Sequence, residues 1–359
     1  MYLLWDQEPY DYLSDAIEGV KNQTYDKDST EFLLVYNSHK PENKSACPYI
    51  REEVEKHKSE LSHVTILEQT ENLGFSGGNN CGMQWALDNG FDYVFLHNGD
   101  GYMGADCLVK TVEALDKDKT IGAVQSLVML HPETNLINSS GNAYQFLGFG
   151  YSNDYRKDIN NLNLPEIKEI AYASGAAITM RTSLLKEFGL WDHDFFMYHE
   201  DTEYSFRLRM AGYKIVAVKD SVFYHKYQFS KSISKFFWME RNRYAVMLMF
   251  MRLPTLLLLM PMEIILEFGL WIFAFKGGWA GERWKVYKYW LKTENWKLWW
   301  GKRKKIQKMR KITDRKMLKS FAAGIYFQEK TMQNPILKYI GNPILTLYYW
   351  VVVRLLIWW

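Results

Sequence analysis

Cysteine is scarce in this chain: Cys47, Cys81 and Cys107 are the only three in 359 residues. They form no CxxC pair and no His-paired spacing, which argues against a disulfide framework or a zinc site and points to a reducing compartment. An excess of charge of one sign is also lacking, since 44 Lys and Arg face 41 Asp and Glu. The net charge of +3 gives no ground for nucleic acid as a partner. The opening stretch MYLLWDQEPYDYL meets acids within a few residues and has neither a basic n-region nor a sustained apolar run. It is not a signal peptide, so the expectation is a cytoplasmic chain. Internal repeats are absent.

What is present is an uneven chain. Hydrophobic residues at 48% and charged residues at 24% are ordinary for a globular protein, which excludes disorder and a polytopic membrane protein on average. Of the 14 Trp, however, only Trp5, Trp85 and Trp191 precede Ser230. Between Lys276 and Lys319 the basic residues far outnumber the acids. One large domain over 1–230 with a differently built region over 231–359 is the organisation that this length and asymmetry predict.

Up to about residue 130, strand-like and helix-like segments alternate, the pattern of a mostly parallel sheet covered by helices. Strands are expected at Leu3–Trp5, Phe32–Tyr36, Val64–Leu67, Tyr93–Leu96 and Ala123–Met129. Helical periodicity falls on Asp11–Val20, Ile50–Leu61, Gly78–Leu87 and Ala105–Leu115. Residues 131–168, rich in Asn, Gly and Ser, read as a long excursion over the site. Further on, strands are expected at Ala176–Arg181 and Lys214–Val218, with helices from Thr182 and over Glu203–Met210. Ligands collect at the carboxyl ends of strands in such sheets, which makes the polar residues after Tyr36, Leu67 and Leu96 the first suspects.

Beyond Lys231 the character changes. Leu253–Phe275 is strongly apolar, but Pro254, Pro261, Glu263 and Glu267 interrupt it. An interfacial helix fits that stretch better than a transmembrane span. The apolar end, Pro343–Trp359, is long enough to dip into a bilayer and short for crossing it. The aromatic-basic runs RWKVYKYW and WKLWWGKRKKIQKMRK lie between. Trp and Tyr favour the headgroup level and Lys and Arg attract anionic lipid, so this region is expected at a membrane surface.

Four segments carry chemistry: AIEGVKNQTYDKDSTEFLLVYNS at 16–38, ENLGFSGGNNCGMQWAL at 71–87, DYVFLHNGDGYM at 92–103, and ASGAAITMRTSLLKEFGLWDHDFFMYHEDTEYSFRLRMAGYKIVAVKDSVFYHK at 173–226. In that order they resemble family 2 glycosyltransferases of the GT-A fold, particularly the rhamnosyltransferase-like branch of bacterial polysaccharide biosynthesis. The likeness covers residues from about 10 to 250. It implies an α/β, Rossmann-like GT-A domain with helices on both faces of a mostly parallel sheet, followed by the membrane-associated helices.

The resemblance also implies roles. Asp100, ending a strand at HNGD, stands at the family's metal position with Asn98 in place of its first Asp. A carboxylate there can share a hard cation with a diphosphate, which suits Mg2+ or Mn2+. His225 in VFYHK matches the histidine that completes the metal site in relatives. Glu200 and Asp201 match the ED motif. Asp201 is the expected base that takes the acceptor proton in an inverting transfer, and Glu200 the residue that binds the acceptor or orients Asp201. Asn72, Gly74, Phe75, Gly78 and Asn79 are expected to contact the nucleotide and donor sugar. Arg241 and Arg243 fall where relatives place cations near the diphosphate, although lipid headgroups would suit them equally.

The chain departs from the family where its second strand ends, with Tyr36 instead of Asp. Asn37 or Asp6 is then left to read the base. The expected donor is a dTDP- or UDP-sugar and the acceptor a lipid-linked or growing polysaccharide, at the cytoplasmic face of the membrane. Association of identical copies stays open. Two other readings are a non-catalytic sugar- or partner-binding module on the same fold and a nucleotidyltransferase, whose Gly-rich basic loop after the first strand WDQEPYDY lacks.

Overall fold

The computed structural model describes residues 1–4, 10–37, 45–61, 63–226, 236–326 and 335–359. Asp6 lies outside them. The chain divides into two units. The first comprises Met1–Asn142, Ser152–Leu208 and Tyr213–Tyr227, and the second Ala143–Tyr151, Arg209–Gly212 and Gln228–Trp359.

The strands are β1 (Tyr2–Leu4), β2 (Glu31–Asn37), β3 (His63–Gln69), β4 (Tyr93–His97), β5 (Gly101–Met103), β6 (Ile121–Leu130), β7 (Ile137–Ser139), β8 (Asn142–Tyr144), β9 (Gly150–Ser152), β10 (Ile167–Glu169), β11 (Ala177–Arg181) and β12 (Lys214–His225), all but β8 and β9 wholly within the first unit. Ten of them form one sheet in the order β10-β12-β6-β11-β4-β1-β2-β3, with β5 paired to β12 and β7 to β6. The pairs among β4, β1, β2 and β3 are parallel, as is β6 with β12, whereas β11 runs antiparallel to both its neighbours. Together with its covering helices this is the α/β GT-A architecture. β6 lies inside the sheet between β12 and β11, and all ten of its residues are buried, the polar Gln125 and Ser126 among them.

Helices α1 (Tyr10–Lys21), α2 (Cys47–Lys56), α3 (Gly74–Asp88), α4 (Cys107–Lys117), α5 (Thr182–Phe188) and α6 (Glu200–Met210) cover the sheet. Leu13, Ala16 and Ile17 of α1 pack with Phe32 and Leu34 of β2, and Met83 and Ala86 of α3 with Val94, Leu96 and Ile178. Each fully buried aliphatic chain of this kind contributes roughly 1.5–3 kcal/mol relative to exposure. Since β1 accompanies β2 only along Leu34–Tyr36 and meets β4 only at His97, the remaining half of that slot is a cavity of about 440 Å3. Phe32, Leu33, Trp85, Val94 and Phe95 line it. Its walls follow the amino-terminal halves of β2 and β4, away from the polar residues after their carboxyl ends.

Three expectations need correction. Residues 131–168 are an excursion with its own order, since β7 pairs with β6 and β10 with β12. The last strand runs on past Val218 to His225, through a bulge between Val218 and Val222 that lets the chain rejoin Val222–His225 with Leu127–Leu130. Helix α3 starts at Gly74 instead of Gly78.

The second unit is helical: α7 (Phe236–Phe250), α8 (Leu253–Gly277), α9 (Ala280–Trp290), α10 (Thr293–Lys308), α11 (Asp314–Leu318) and α12 (Asn342–Tyr349), the last extended to Leu356 by π-helical turns. The helix expected over Leu253–Phe275 is present as α8. Pro254 sits in the first turn, where a missing N–H costs nothing, and α8 continues through Pro261 for 25 residues. By length and composition it could cross a membrane.

Candidate active site

The first cluster lies after the carboxyl end of β4. The pairing of β5 with β12 sets Gly101 opposite His225. A side chain at Gly101 would overlap Phe223 and the carbonyl of Tyr224, so glycine permits the approach. Asp100 Oδ1 consequently stands 2.8 Å from His225 Nε2. Asn98 Nδ2 donates to Asp100 Oδ1 at 2.5 Å and lies 3.1 Å from His225 Nε2. On its other side, His225 Nδ1 meets Asn138 Oδ1 at 3.0 Å.

That last contact fixes the tautomer. With Nδ1 donating to Asn138 Oδ1, the Nε2 lone pair of His225 and Asp100 Oδ1 are two acceptors that converge on a single donor, the amide Nδ2 of Asn98. A cation satisfies such a pair, whether a proton on Nε2 or a metal ion between the two groups. An amide behind Nδ1 is the outer partner that metal-binding histidines commonly have. The donor set therefore fits Mg2+ or Mn2+, with oxygen and imidazole ligands that Mn2+ accepts especially well. Among the described residues no group of three or more His, Cys, Asp and Glu could hold a metal ion. The further ligands would have to come from a bound phosphate or water.

The second cluster is at the start of α6. Asp201 Oδ2 accepts from the backbone N–H of Gly175 at 2.9 Å, and Oδ1 accepts from the N–H and the hydroxyl of Thr202 at 2.6 and 3.2 Å. These bonds occupy three of the roughly four lone-pair positions of a carboxylate and hold it in one orientation. Burial raises the pKa of Asp201, and its hydrogen bonds oppose the rise. Glu200 is more deeply enclosed, at 4% exposure, and its Oε2 has no hydrogen-bond partner. Burial first and the neighbouring Asp201 second push its pKa well above the usual carboxylate range. Neither carboxylate has an ion-pair partner among the described residues.

The approach to this pair is strained. Phe196, Tyr198 and His199 all adopt left-handed φ values of 60°, 65° and 68°, a conformation that bulky residues rarely take and that clusters at functional sites. The strain is held by α3: the N–H groups of Phe75 and Ser76 donate to the carbonyl of Phe196 at 2.6 and 3.2 Å. Gly74, at φ +72°, faces the same carbonyl and ring so closely that no side chain would fit.

The expectations for the glycine-rich turn change accordingly. Asn37 is fully buried, and its amide donates to Gly74 O at 3.0 Å and accepts from Leu73 N at 3.1 Å. It is committed to shaping the turn and is corrected from a base-reading residue to a turn-holding one. Asn72 likewise accepts from Gly74 N at 2.9 Å. Gly78 and Asn79 are buried inside α3, where Asn79 Nδ2 donates to Phe75 O at 2.8 Å, so direct contact of these two with a ligand is also corrected. The first N–H groups of α3 are taken by Phe196. Phe75 packs on Trp191, with ring centroids 6.0 Å apart.

Arg241 and Arg243 belong to the second unit and are buried there. Arg243 bonds Glu240 at 3.2 Å, Glu263 at 2.5 Å, Glu267 at 2.9 Å and the carbonyl of Leu147 at 2.8 Å. The guanidinium of Arg241 lies over Trp238, Tyr289 and Trp299 at 4.6–5.6 Å. Neither stands free for a diphosphate or a lipid headgroup, which corrects both readings. Residues that the sequence did not single out are Asn138, Gly175, Phe196 and Thr202. Only the small-residue run ASGAA hinted at a close approach, at Gly175.

A model of the family described as "Glycosyltransferase like family 2" matches residues 5–245, more than half of the chain. The chain belongs to this family. It is 23% identical over 220 residues to the low-salt glycan biosynthesis hexosyltransferase Agl10 of Haloferax volcanii, a match over 55% of this chain and 60% of that one. Among solved structures, GalNAc-T7 with UDP, GalNAc and Mn2+ superposes with a TM-score of 0.52 at 15% identity, over 68% of this chain and 46% of the other. A mannosyltransferase from Pyrobaculum calidifontis, in complex with GDP-Man and Mn2+, gives 0.47 at 16% identity over 69% and 62% of the two chains. The chain thus spans less than two thirds of each of these proteins.

Proposed function

We propose that this family member is a metal-dependent, inverting glycosyltransferase that moves a hexose or deoxyhexose, rhamnose among the options, from a dTDP- or UDP-sugar to a hydroxyl of a lipid-linked or growing polysaccharide. The observation that carries the reading is the pairing of two separate acidic sites in the GT-A unit. One is a His–Asp pair with its tautomer fixed by Asn138, and the other is a buried Glu–Asp pair without a cation. Asp100 and His225 would hold Mg2+ or Mn2+, which supplies neutralisation of the diphosphate charge.

The remaining steps belong to the chain's own groups. Asp201, ionised and oriented by Gly175 and Thr202, accepts the acceptor hydroxyl proton on its one free lone-pair position. The hydroxyl oxygen forms the new bond to the anomeric carbon as the bond to the diphosphate oxygen breaks on the opposite face. Glu200, enclosed beside it, binds the acceptor or orients Asp201. Phe75, Gly74 and Asn72 shape the wall on which the nucleotide rests. The helices of residues 231–359 hold the enzyme at the cytoplasmic face of a membrane, next to a lipid-linked acceptor.

A thermal-shift series with nucleotide sugars and Mn2+ tests the donor assignment, since a ligand that binds only the folded state raises the melting temperature. The expected result is a shift with one dTDP- or UDP-sugar that requires the metal and disappears in Asp100→Ala. A shift of equal size in that variant and in excess chelator would remove the metal from the account.

A further inference from the structure

The second unit leaves an unusual amount of apolar surface open. Along α8, Leu257, Met260, Ile264, Phe268, Ile272 and Phe275 form an exposed stripe at helical spacing, and Leu253, Ile265 and Phe273 are exposed as well. The opposite side carries Thr255, Leu259, Met262 and Ala274, all buried, together with the partly buried Glu263 and Glu267. A second stripe follows the carboxyl-terminal helix through Ile340, Ile344, Leu347, Val351 and Leu355. The two helices are neighbours, because Tyr348 Oη donates to Leu258 O at 2.6 Å and Trp359 Nε1 to Thr255 Oγ1 at 2.9 Å. A continuous patch of this kind marks an interaction surface. Exposed Trp284 and Trp296 accompany it, and between Lys276 and Lys311 only Glu282 and Glu294 oppose the basic residues. Aromatic rings at the rim and a cationic field around an apolar face fit an anionic lipid surface.

Resting on the membrane reading above, we infer that α8 and the carboxyl-terminal helix lie in the plane of one leaflet, side by side, and that α8 does not cross the bilayer despite having the length to do so. At 1.5 Å per residue α8 extends about 37 Å, against a hydrocarbon core of about 30 Å. Glu267 is the fifteenth of its 25 residues, so a crossing would carry it close to the bilayer centre. It would not travel alone. Glu267 is paired with Arg243 of α7 and Arg283 of α9, and Arg283 also with Glu240.

The surroundings of Arg283 decide between the two orientations. Within the next turns of α9, Lys285 is 62% exposed and Lys288 is exposed as well, with Glu282 as the partner of Lys285. Tyr287 of α9 stacks on Trp271 of α8 at 5.6 Å and its hydroxyl donates to Glu267, which keeps this stretch of α9 level with the second half of α8. A crossing would therefore carry the exposed Lys288 and the Lys285–Glu282 pair into the hydrocarbon core, where charged side chains are costly. An in-plane helix has no such conflict. Its apolar side enters the acyl region, while Glu263, Glu267 and the α9 lysines remain on the water side.

Depth measurement in anionic proteoliposomes tests the inference on the full chain. Single cysteines replace Leu257, Ile264, Phe268 and Phe275 in a Cys81→Ala background, each labelled with a small fluorophore; Cys47 and Cys107 are buried and stay unlabelled. All four replaced side chains are exposed, so folding is not at stake. Quenching is then compared between nitroxides high on the acyl chain and nitroxides near its methyl end. The expected result is quenching at all four positions, stronger by the shallow nitroxide and in the same ratio at each. Deep quenching at Ile264 and Phe268 with shallow quenching at Leu257 and Phe275 would show a crossing, overturning the in-plane inference while leaving membrane attachment intact. Absence of quenching at every position, including the case of labels shielded by a second copy of the chain, would overturn both.

Discussion

Both units bury carboxylates, and they treat them in opposite ways. In the helical unit Glu240, Glu263 and Glu267 surround Arg243 and Arg283, with Tyr244 and Tyr287 donating to Glu267. In the GT-A unit Glu200 and Asp201 sit side by side with no cation against either among the described residues, behind three residues with left-handed φ values. The first arrangement sets two guanidiniums among three carboxylates and ties three helices together. The second leaves charge uncancelled, a cost to folding that a purely structural site would not keep. Charge compensation thus distinguishes the two clusters more sharply than burial alone.

The comparison breaks most visibly at Arg243. Arg243→Met leaves Glu240, Glu263 and Glu267 with Arg283 as their cation, and losing one partner of a buried ion network costs on the order of 3–5 kcal/mol. Calorimetry should show a large loss of stability in the helical unit. Unchanged unfolding would mean that the network is not a scaffold. Removal of the metal ranks next. Chelation should abolish transfer, with Mn2+ or Mg2+ restoring it in the parent chain and failing to do so in Asp100→Ala. Asn138→Ala, which frees the imidazole tautomer, is expected to weaken metal affinity by 10–100-fold, the range for lost outer partners, as read by Mn2+ titration.

Glu200→Gln sharpens the comparison from the opposite direction, with the smallest effect. The folded-state pKa of Glu200 is raised, so the folded protein holds its proton to higher pH than the unfolded chain does. Stability therefore falls as pH climbs from the ordinary carboxylate range toward the raised value, and no penalty exists below that range. Glutamine removes the titration. At neutral pH the variant should be the more stable of the two. At acid pH the difference should vanish. A variant that is less stable at neutral pH would show that the Glu200 charge is compensated after all.

How much of this was legible in the sequence follows from how local each signal is. Strands β2, β4 and β6 stand in the sequence as apolar runs, and the HNGD and HED motifs directly follow or open an element. Asn138 was hidden because its partner His225 is 87 residues away, and only the pairing of β7 with β6 and β12 with β6 brings them together. Asn37 looked like a ligand-reading residue because a strand end is where ligands bind, yet its amide is taken up by Leu73 and Gly74. Glu263 and Glu267 looked like interruptions for a similar reason: a sequence shows two acids in an apolar run but not the Arg243 and Arg283 that neutralise them.

The central claim, that the uncompensated Glu200–Asp201 pair is the reactive centre, meets its most direct test in Asp201→Asn. The substitution keeps the shape of the side chain and removes its basicity. Single-turnover transfer and nucleotide-sugar binding should be measured on the same preparation, across pH. The expected result is a fall in the transfer rate on the order of 10²-fold or more, the scale of a positioned base, with donor affinity unchanged. In the parent enzyme the rate should rise with pH through an apparent pKa above the ordinary carboxylate range, since burial raises the pKa of Asp201, and that limb should be absent from the variant. Full transfer by Asp201→Asn with the pH limb retained would contradict the account.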